Sequence, residues 1–409
     1  MKQRSNSSTL WIISELYYPE ETSTGYYLTR IAEGLAEDEC VKVICGQPNY
    51  SARGKTSPTF EIHKKVEIYR AASTRLDKNV VPFRLLNMLT LGISIFIKAV
   101  RHFRKGDRVL VVTTPPTLPF ITALASLIRG SSFTLLIHDN YPEILVAAGK
   151  MREDSFGFQV LEFFNRWLFK YASKIIVVGR DMIELVSKKT EGLDIPISFI
   201  SNWAETENIS PALREQNLLL EELSLRDKFV FLYAGNIGYP NDVESIINCA
   251  KMLRNEPVQF VFLGAGVKRK WLVNAVTEED LDNVTILDPR PRSEQQIFLN
   301  ACDVALVSLV AQMWGVSMPS RTYNILSAGK PILAITDAGS ELAQIVEEEN
   351  IGWVVRPNDS KKLHSLIRRI YSKKQELEQM GERSRIAAMN KYTEKIAVEK
   401  YREALKMKD

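Results

Sequence analysis

The sequence predicts an α/β protein built from two doubly wound parallel sheets that face each other across a cleft. Three observations carry this. Short apolar runs alternate with helix-length periodic segments. The alternation stops at a polar stretch, 204–227, and then starts again. Finally, 409 residues suffice for two domains, each with its own core. The domains fall at 1–203 and 204–385. Residues 386–409 form a helical segment that either caps its own domain or crosses back to the first.

In the first half the apolar runs are 9–14 (TLWIIS), 41–45 (VKVIC), 66–69, 108–113 (RVLVVT), 133–138 (FTLLIH), 174–178 (KIIVV) and 196–200 (PISFI). Each is short and rich in β-branched residues, as a buried parallel strand requires. Between the first two, residues 26–37 place Leu28, Ile31, Ala32 and Leu35 on one helical face. The second half runs through FVFLYAG (229–235), VQFVFLG (258–264), VTIL (284–287), DVALVSL (303–309), KPILAIT (330–336) and GWVV (352–355). The last segment, about 376–408, is charged and helical, with Tyr392, Ile396, Tyr401 and Leu405 as its apolar positions.

Composition is ordinary for a globular chain: 45% hydrophobic, 25% charged, 20 glycines and 17 prolines, which excludes collagenous and low-complexity classes. The four cysteines show no metal-ligand spacing and read as reduced core thiols of a cytoplasmic protein. The polar residues 1–9 and Glu15 do not make a secretory signal. The uncharged run between Arg108 and Arg129 contains Pro115, Pro116 and Pro119, so it reads as strand, turn and helix rather than a membrane span.

Net charge is +4, but 53–108 alone carries 13 lysines and arginines against 4 acidic residues. Such a stretch suits an anionic partner: a phosphate-bearing substrate, a membrane surface or a nucleic acid. Residues 83–103 within it are strongly apolar with Arg84, Lys98, Arg101 and Arg104 around them, in the manner of an interfacial helix. A helix buried against the sheet would read the same way. A nucleic-acid partner is disfavoured, because no aromatic-interleaved basic pattern or known module is present.

In open α/β sheets ligands bind beyond the carboxyl ends of the strands. The first strand is followed by Ser23, Thr24 and Gly25 just before a helix, where N–H groups and the helix dipole suit phosphate. His138, Asp139 and Glu143 follow the strand at 133–137 as an acid/base or hydroxyl-binding group. Gly235 and Asn236, then Gly264, Lys268 and Arg269, follow the first two strands of the second half. Arg269 stands where a dinucleotide fingerprint needs glycine. Arg290 follows the next strand. Pro319 and Ser320 start a helix with Arg321 in its first turn, a charge that opposes the dipole unless an anion sits there.

Together, YYPEETSTG, HDNYPE, SNW (201–203), FLYAGNIG, FLGAG, ACDVALV, MPSRTYNILSAGKP and SELAQIVEEENIGWVV resemble the bacterial family-four glycosyltransferases, in particular the branch that makes capsule, O-antigen and colanic-acid-type polysaccharide. The resemblance spans about 9–405. It implies a GT-B fold of two Rossmann-like domains and retaining, metal-independent transfer from a nucleotide sugar. The donor is a UDP-sugar in the favoured case and a GDP-sugar otherwise, with no cofactor. The implied acceptor is a saccharide, or a saccharide on polyprenyl diphosphate at the inner membrane face.

By the same resemblance Gly25 approaches the donor diphosphate, and His138 lies beside donor sugar and acceptor. Asp139 and Glu143 sit on the acceptor side. Arg321, with Ser320 and the N–H groups of Thr322 and Tyr323, holds the diphosphate. The sequence departs from the family at four places: the usual basic pair is absent at Asn236 and near Asn241, and the usual glutamate pair is replaced by Val316 and Asn324. Lys268, Arg269 and Arg290 are the substitutes on offer. The departures keep two other expectations in view, a non-catalytic nucleotide-sugar-binding partner subunit and a GT-B epimerase.

Overall fold

A computed structural model describes residues 8–48, 56–76 and 80–406. Part of the basic stretch, 53–55 and 77–79, lies outside the described residues. The first sheet contains β1 (Leu10–Ser14), β2 (Val41–Cys45), β3 (Phe60–His63), β4 (Val66–Arg70), β5 (Arg108–Val112), β6 (Ser132–Ile137), β7 (Lys174–Val177) and β8 (Ile197–Phe199). Its order is β3-β4-β2-β1-β5-β6-β7-β8, parallel except for β3 at the edge. The second contains β9 (Phe229–Ala234), β10 (Val258–Leu263), β11 (Val284–Leu287), β12 (Val304–Ser308), β13 (Ile332–Ile335) and β14 (Gly352–Val355). Its order, β11-β10-β9-β12-β13-β14, is parallel throughout. Both sheets therefore reverse direction of winding at a central strand, β1 and β9, and the loops after those strands sit at the switch point.

Helices cover both faces of each sheet, so the central strands are buried on both sides and read as continuous apolar runs. The first helix spans Ser23–Leu35 rather than beginning at 26. Ser23, Thr24 and Gly25 thus form its first turn, not the loop before it. Thr22 is its N-cap, yet its side chain caps no N–H.

The helix Val81–His102 is mostly uncovered: 28% of its most apolar window is buried. Leu91, Ile95 and Ala99 face the protein, while Leu85, Leu89, Ile93 and Ile97 lie exposed at successive turns. This helix packs one face on the protein and leaves the other exposed, which fits both an interfacial helix and a domain helix set against the sheet.

The C-terminal segment divides differently from the anticipated 385/386 boundary, which falls inside the helix Gln375–Lys391. That helix packs on the second half, where Arg385 Nη1 donates to the carbonyls of Ile209 and Ser327 at 2.7 and 2.9 Å. The chain turns at Tyr392 and restarts at Thr393, whose hydroxyl caps Ile396 N. The final helix, Glu394–Leu405, lies on the first half: Arg30 pairs with Glu394 at 2.8 Å and Lys174 Nζ donates to Ala404 O. Val398 fills the space left by Gly34, where a Cβ would come within 2.6 Å of its Cγ1. Gly34→Leu is expected to lift this helix and lower stability by about 1–3 kcal/mol in urea unfolding.

Candidate active site

β1, β6, β9, β10 and the segment 313–321 meet at the carboxyl ends of the two sheets. The halves touch through backbone as well as side chains. Asp139 and Ser317 form an antiparallel bridge, Asn140 N donates to Val316 O at 2.8 Å, and Asn140 Nδ2 to Gly315 O at 2.6 Å. Gly315 N in turn donates to Asp181 Oδ2 at 2.8 Å. Ser23 Oγ lies 2.6 Å from Ser320 Oγ, which places the start of the first helix directly against the start of the helix Arg321–Ser327. Beside this floor, Arg180 bonds Glu341 through its backbone N and its Nε, at 2.8 and 2.9 Å.

The second-half side of the site is a double glycine turn. Gly235 and Gly264 have φ of 146° and 154°, and a Cβ on Gly264 would lie 1.9 Å from Gly235 O. Only glycine fits both positions, because the two turns press backbone on backbone. The gap above Gly235 is filled by Arg321: a Cβ there would meet its Nη1 at 2.7 Å. The guanidinium stacks over Tyr233 with Cζ 4.4 Å from the ring centroid, and Nη2 donates to Asn241 Oδ1 at 2.7 Å. Nη1 is buried without a hydrogen-bond partner, and no carboxylate pairs with Arg321 among the described residues. A cation held rigidly with one donor unused is suited to an oxyanion.

Facing it, His138 and Asp139 leave β6. Their backbone N–H groups donate to Thr113 Oγ1, at 3.2 and 3.4 Å. His138 Nε2 is buried and unpartnered. Burial pushes the imidazole down to about 4, so at neutral pH it is uncharged. Burial pushes the Asp139 carboxyl up to about 6, against the opposing effect of a hydrogen bond from Ser317.

Other anticipated residues are engaged by protein groups, Lys268 beside the Asn241 that holds Arg321, and Thr322 and Tyr323 in the turn that carries it. Lys268 is held by Glu244 at 2.9 Å and by Asn241 O, Arg269 by Asp288 at 2.7 Å, and Arg290 by Glu222 and Glu294. Glu143 is bound to Lys189 at 2.6 Å, in a cluster that includes Glu162. The N–H groups of Thr322 and Tyr323 donate to Pro319 O and Ser320 O in a tight first turn, at 3.2 and 3.3 Å. Asn324 donates to Glu205 and Gln295 at 3.0 and 2.9 Å, and Glu205 is also paired with Arg292. Glu244, Asp288, Glu222, Lys189 and Glu205 are distant in sequence from the groups they engage, whereas Pro319, Ser320 and Glu294 are local partners. Gly25, Asn236 and Ser320 lie along the cleft: a Cβ on Gly25 would press on Glu20 O at 2.8 Å, and Asn236 O accepts from Tyr233 Oη at 2.7 Å. The sequence analysis missed Tyr233, Thr113 and Ser317, and marked Asn241 only as a place near which the usual basic residue is absent. Tyr233 did leave a signal, as the one hydroxyl-bearing residue in an otherwise apolar central strand.

Comparison with known proteins bears on the fold and the family. Residues 217–387 match the family model described as Glycosyl transferases group 1. The chain is 31% identical over 392 residues to a probable glycosyltransferase, WbjE of Pseudomonas aeruginosa, covering 96% of each chain. It is 27% identical over 372 residues to WcaI of Escherichia coli K12, a putative colanic acid biosynthesis glycosyl transferase, covering 86% of this chain and 89% of that one. Its fold is shared with HepE of Anabaena, solved in complex with UDP-glucose, at a TM-score of 0.72 and 14% identity over 98% of this chain and 99% of the other. The paired parallel sheets are those of the GT-B fold, and the chain belongs to the group 1 glycosyltransferases.

Proposed function

We propose that the chain is a retaining, metal-independent glycosyltransferase of cell-surface polysaccharide assembly. On this reading it moves a hexosyl or N-acetylhexosaminyl group from a UDP-sugar, or else a GDP-sugar, to a saccharide on a lipid diphosphate. The first half serves the acceptor and the second the donor. The observation that carries the reading is Arg321, unpaired by any carboxylate and locked over the Gly235 turn, opposite His138 and Asp139.

In the transfer, the bond from the anomeric carbon to the diphosphate oxygen breaks and its electron pair stays with the diphosphate. Arg321 Nη1 and the uncapped start of the helix Ser23–Leu35 stabilise that charge. The acceptor oxygen bonds the anomeric carbon on the same face, and its proton passes to the departing phosphate. Neutral His138 and ionised Asp139 orient the acceptor hydroxyl. The relatives support the polysaccharide assignment, and the HepE complex supports a UDP-sugar. The one-sided helix Val81–His102, with its exposed stripe between Arg84 and Arg101, supports work at the cytoplasmic membrane face, the helix lying on the bilayer rather than crossing it.

A thermal-shift panel of UDP, GDP, ADP and dTDP, with and without EDTA, tests the reading. One nucleotide is expected to stabilise the protein, unaffected by EDTA. Stabilisation by none would move the balance to a non-catalytic partner subunit.

The titrations give a second test. Asp139 is ionised above about 6 and His138 uncharged above about 4, so transfer is expected to fall below pH 6 along one limb. Asp139→Asn should remove that limb, and a limb that survives would unseat Asp139. The sign for stability is opposite. The folded state holds a proton that the unfolded chain releases between about 4 and 6, so Asp139 lowers stability as pH rises through that window.

A further inference from the structure

Beside the cleft the first half contains a cavity of about 980 Å3. It lies among the helices Val81–His102, Leu118–Arg129 and Phe156–Tyr171 and the ends of β5 and β6. Much of its wall is hydrocarbon: Leu91, Phe120, Leu135, Leu161, Leu168 and Phe169 contribute, with two prolines from the turn after β5 and Pro119 from the helix that follows. Two of the amides along it are already bonded to the protein. Asn87 Oδ1 accepts from Thr74 Oγ1 at 2.8 Å and its Nδ2 donates to Leu76 O at 2.9 Å, while Asn165 Nδ2 donates to Tyr141 O at 2.6 Å. Against the hydrocarbon part of this wall a saccharide would lose its hydration and find few partners for its hydroxyls.

The rim of the cavity says what fills it. Asp139 and Asn140 stand on it, together with Ala265 from the facing glycine turn, so an occupant reaches the reaction centre. Arg84 and Leu85 also stand on it, and Leu85 begins the exposed stripe that continues through Leu89, Ile93 and Ile97. Arg84 is exposed, and its guanidinium suits the phosphate groups of a lipid surface. The cavity thus joins an apolar, cation-edged outer surface to the cleft.

We propose that this cavity is the binding site for the hydrocarbon tail of the acceptor lipid, a branched prenyl chain whose diphosphate-linked saccharide reaches the Asp139 rim. The assignment rests on the lipid-linked reading of the acceptor given above. The tail leaves the bilayer along the stripe and enters the cavity, so that the saccharide it carries is presented to the donor. Burying hydrocarbon in a preformed apolar wall supplies the affinity, and the rim supplies orientation.

The test uses the full chain and a probe series below its aggregation concentration: inorganic phosphate, then dimethylallyl, geranyl and farnesyl phosphate, measured by calorimetry. Each added prenyl unit is expected to tighten binding about tenfold or more until the cavity is full. Met88→Trp and Leu145→Trp, which fill the cavity from two sides, are each expected to weaken farnesyl phosphate about tenfold or more. Stabilisation by the preferred nucleotide should be unchanged in both, which also shows that they fold. Farnesyl phosphate binding no tighter than phosphate would overturn the proposal. So would chain-length dependence that survives both fillings, since it would mark adhesion to the outer stripe. If nucleotide stabilisation persists in either of those cases, the donor reading stands without the tail site. Cavity-dependent farnesyl phosphate binding with no nucleotide stabilisation supports the tail site and removes the transferase reading instead.

Discussion

Arg321→Ala is expected to lower kcat/KM about 100- to 1,000-fold while leaving the fold intact. The magnitude follows from position. Charge builds on the diphosphate as the glycosidic bond breaks, and a fixed donor in a water-poor cleft acts on that charge without reorganising. Loss of such a donor costs about 3–4 kcal/mol in the barrier. Arg321 meets the requirement for rigidity because Tyr233 supports its plane and Asn241 fixes one nitrogen, leaving Nη1 over Gly235. Arg321→Lys should recover only a small part of the rate, since an ammonium can neither stack on Tyr233 nor reach Asn241 with the same fork. Steady-state release of the nucleotide, with melting temperature as the control, separates these outcomes. A variant keeping a third of the activity would remove Arg321 from the chemistry.

The resemblance and the strand pattern located this arginine, but not what surrounds it. The central strands were legible because a parallel strand buried on both faces must be a continuous apolar run, as VLVV of β5 and VFLY of β9 are. The edge strand β3 was not, because FEIH is four residues long and alternates between exposed and half-buried positions. Among the candidate site residues, the glycines and His138 were legible from their place after strands, and Arg321 from its place in the first turn of a helix. The fate of the other cations was not. Lys268 and Arg269 are paired with Glu244 and Asp288, and nothing in their local sequence distinguishes a paired cation from an available one; Arg290, paired with Glu222, also has Glu294 one helical turn on. The same holds for Asn324. Its spacing from the SAGKP stretch marks it as a site position, yet both ends of its amide are bound to residues 205 and 295. The bridge between Asp139 and Ser317 depends on how the two halves meet, which no single segment encodes.

Gly264→Ala is expected to destabilise the protein by about 2–4 kcal/mol and to abolish stabilisation by the nucleotide. Two separate effects add there. The backbone has φ of 154°, where an L side chain is strained, and the new Cβ would stand 1.9 Å from Gly235 O and 3.0 Å from Gly235 C. No flexible side chain can give way, because the obstacle is the backbone of the neighbouring turn. Relief requires Gly235 to move, and Gly235 is the surface on which Arg321 Nη1 rests. Damage to stability and damage to the site are therefore one displacement. Gly106→Ala separates the two contributions: its φ is 88° but nothing lies within 4 Å of the added carbon. That variant should lose only about 1 kcal/mol, from conformational strain alone, and bind nucleotide normally. Urea unfolding of both, followed by the nucleotide shift assay, measures the difference. Equal losses would mean that the two glycine turns are not in contact in solution, and Arg321 would then lack the fixed seat on which its role depends.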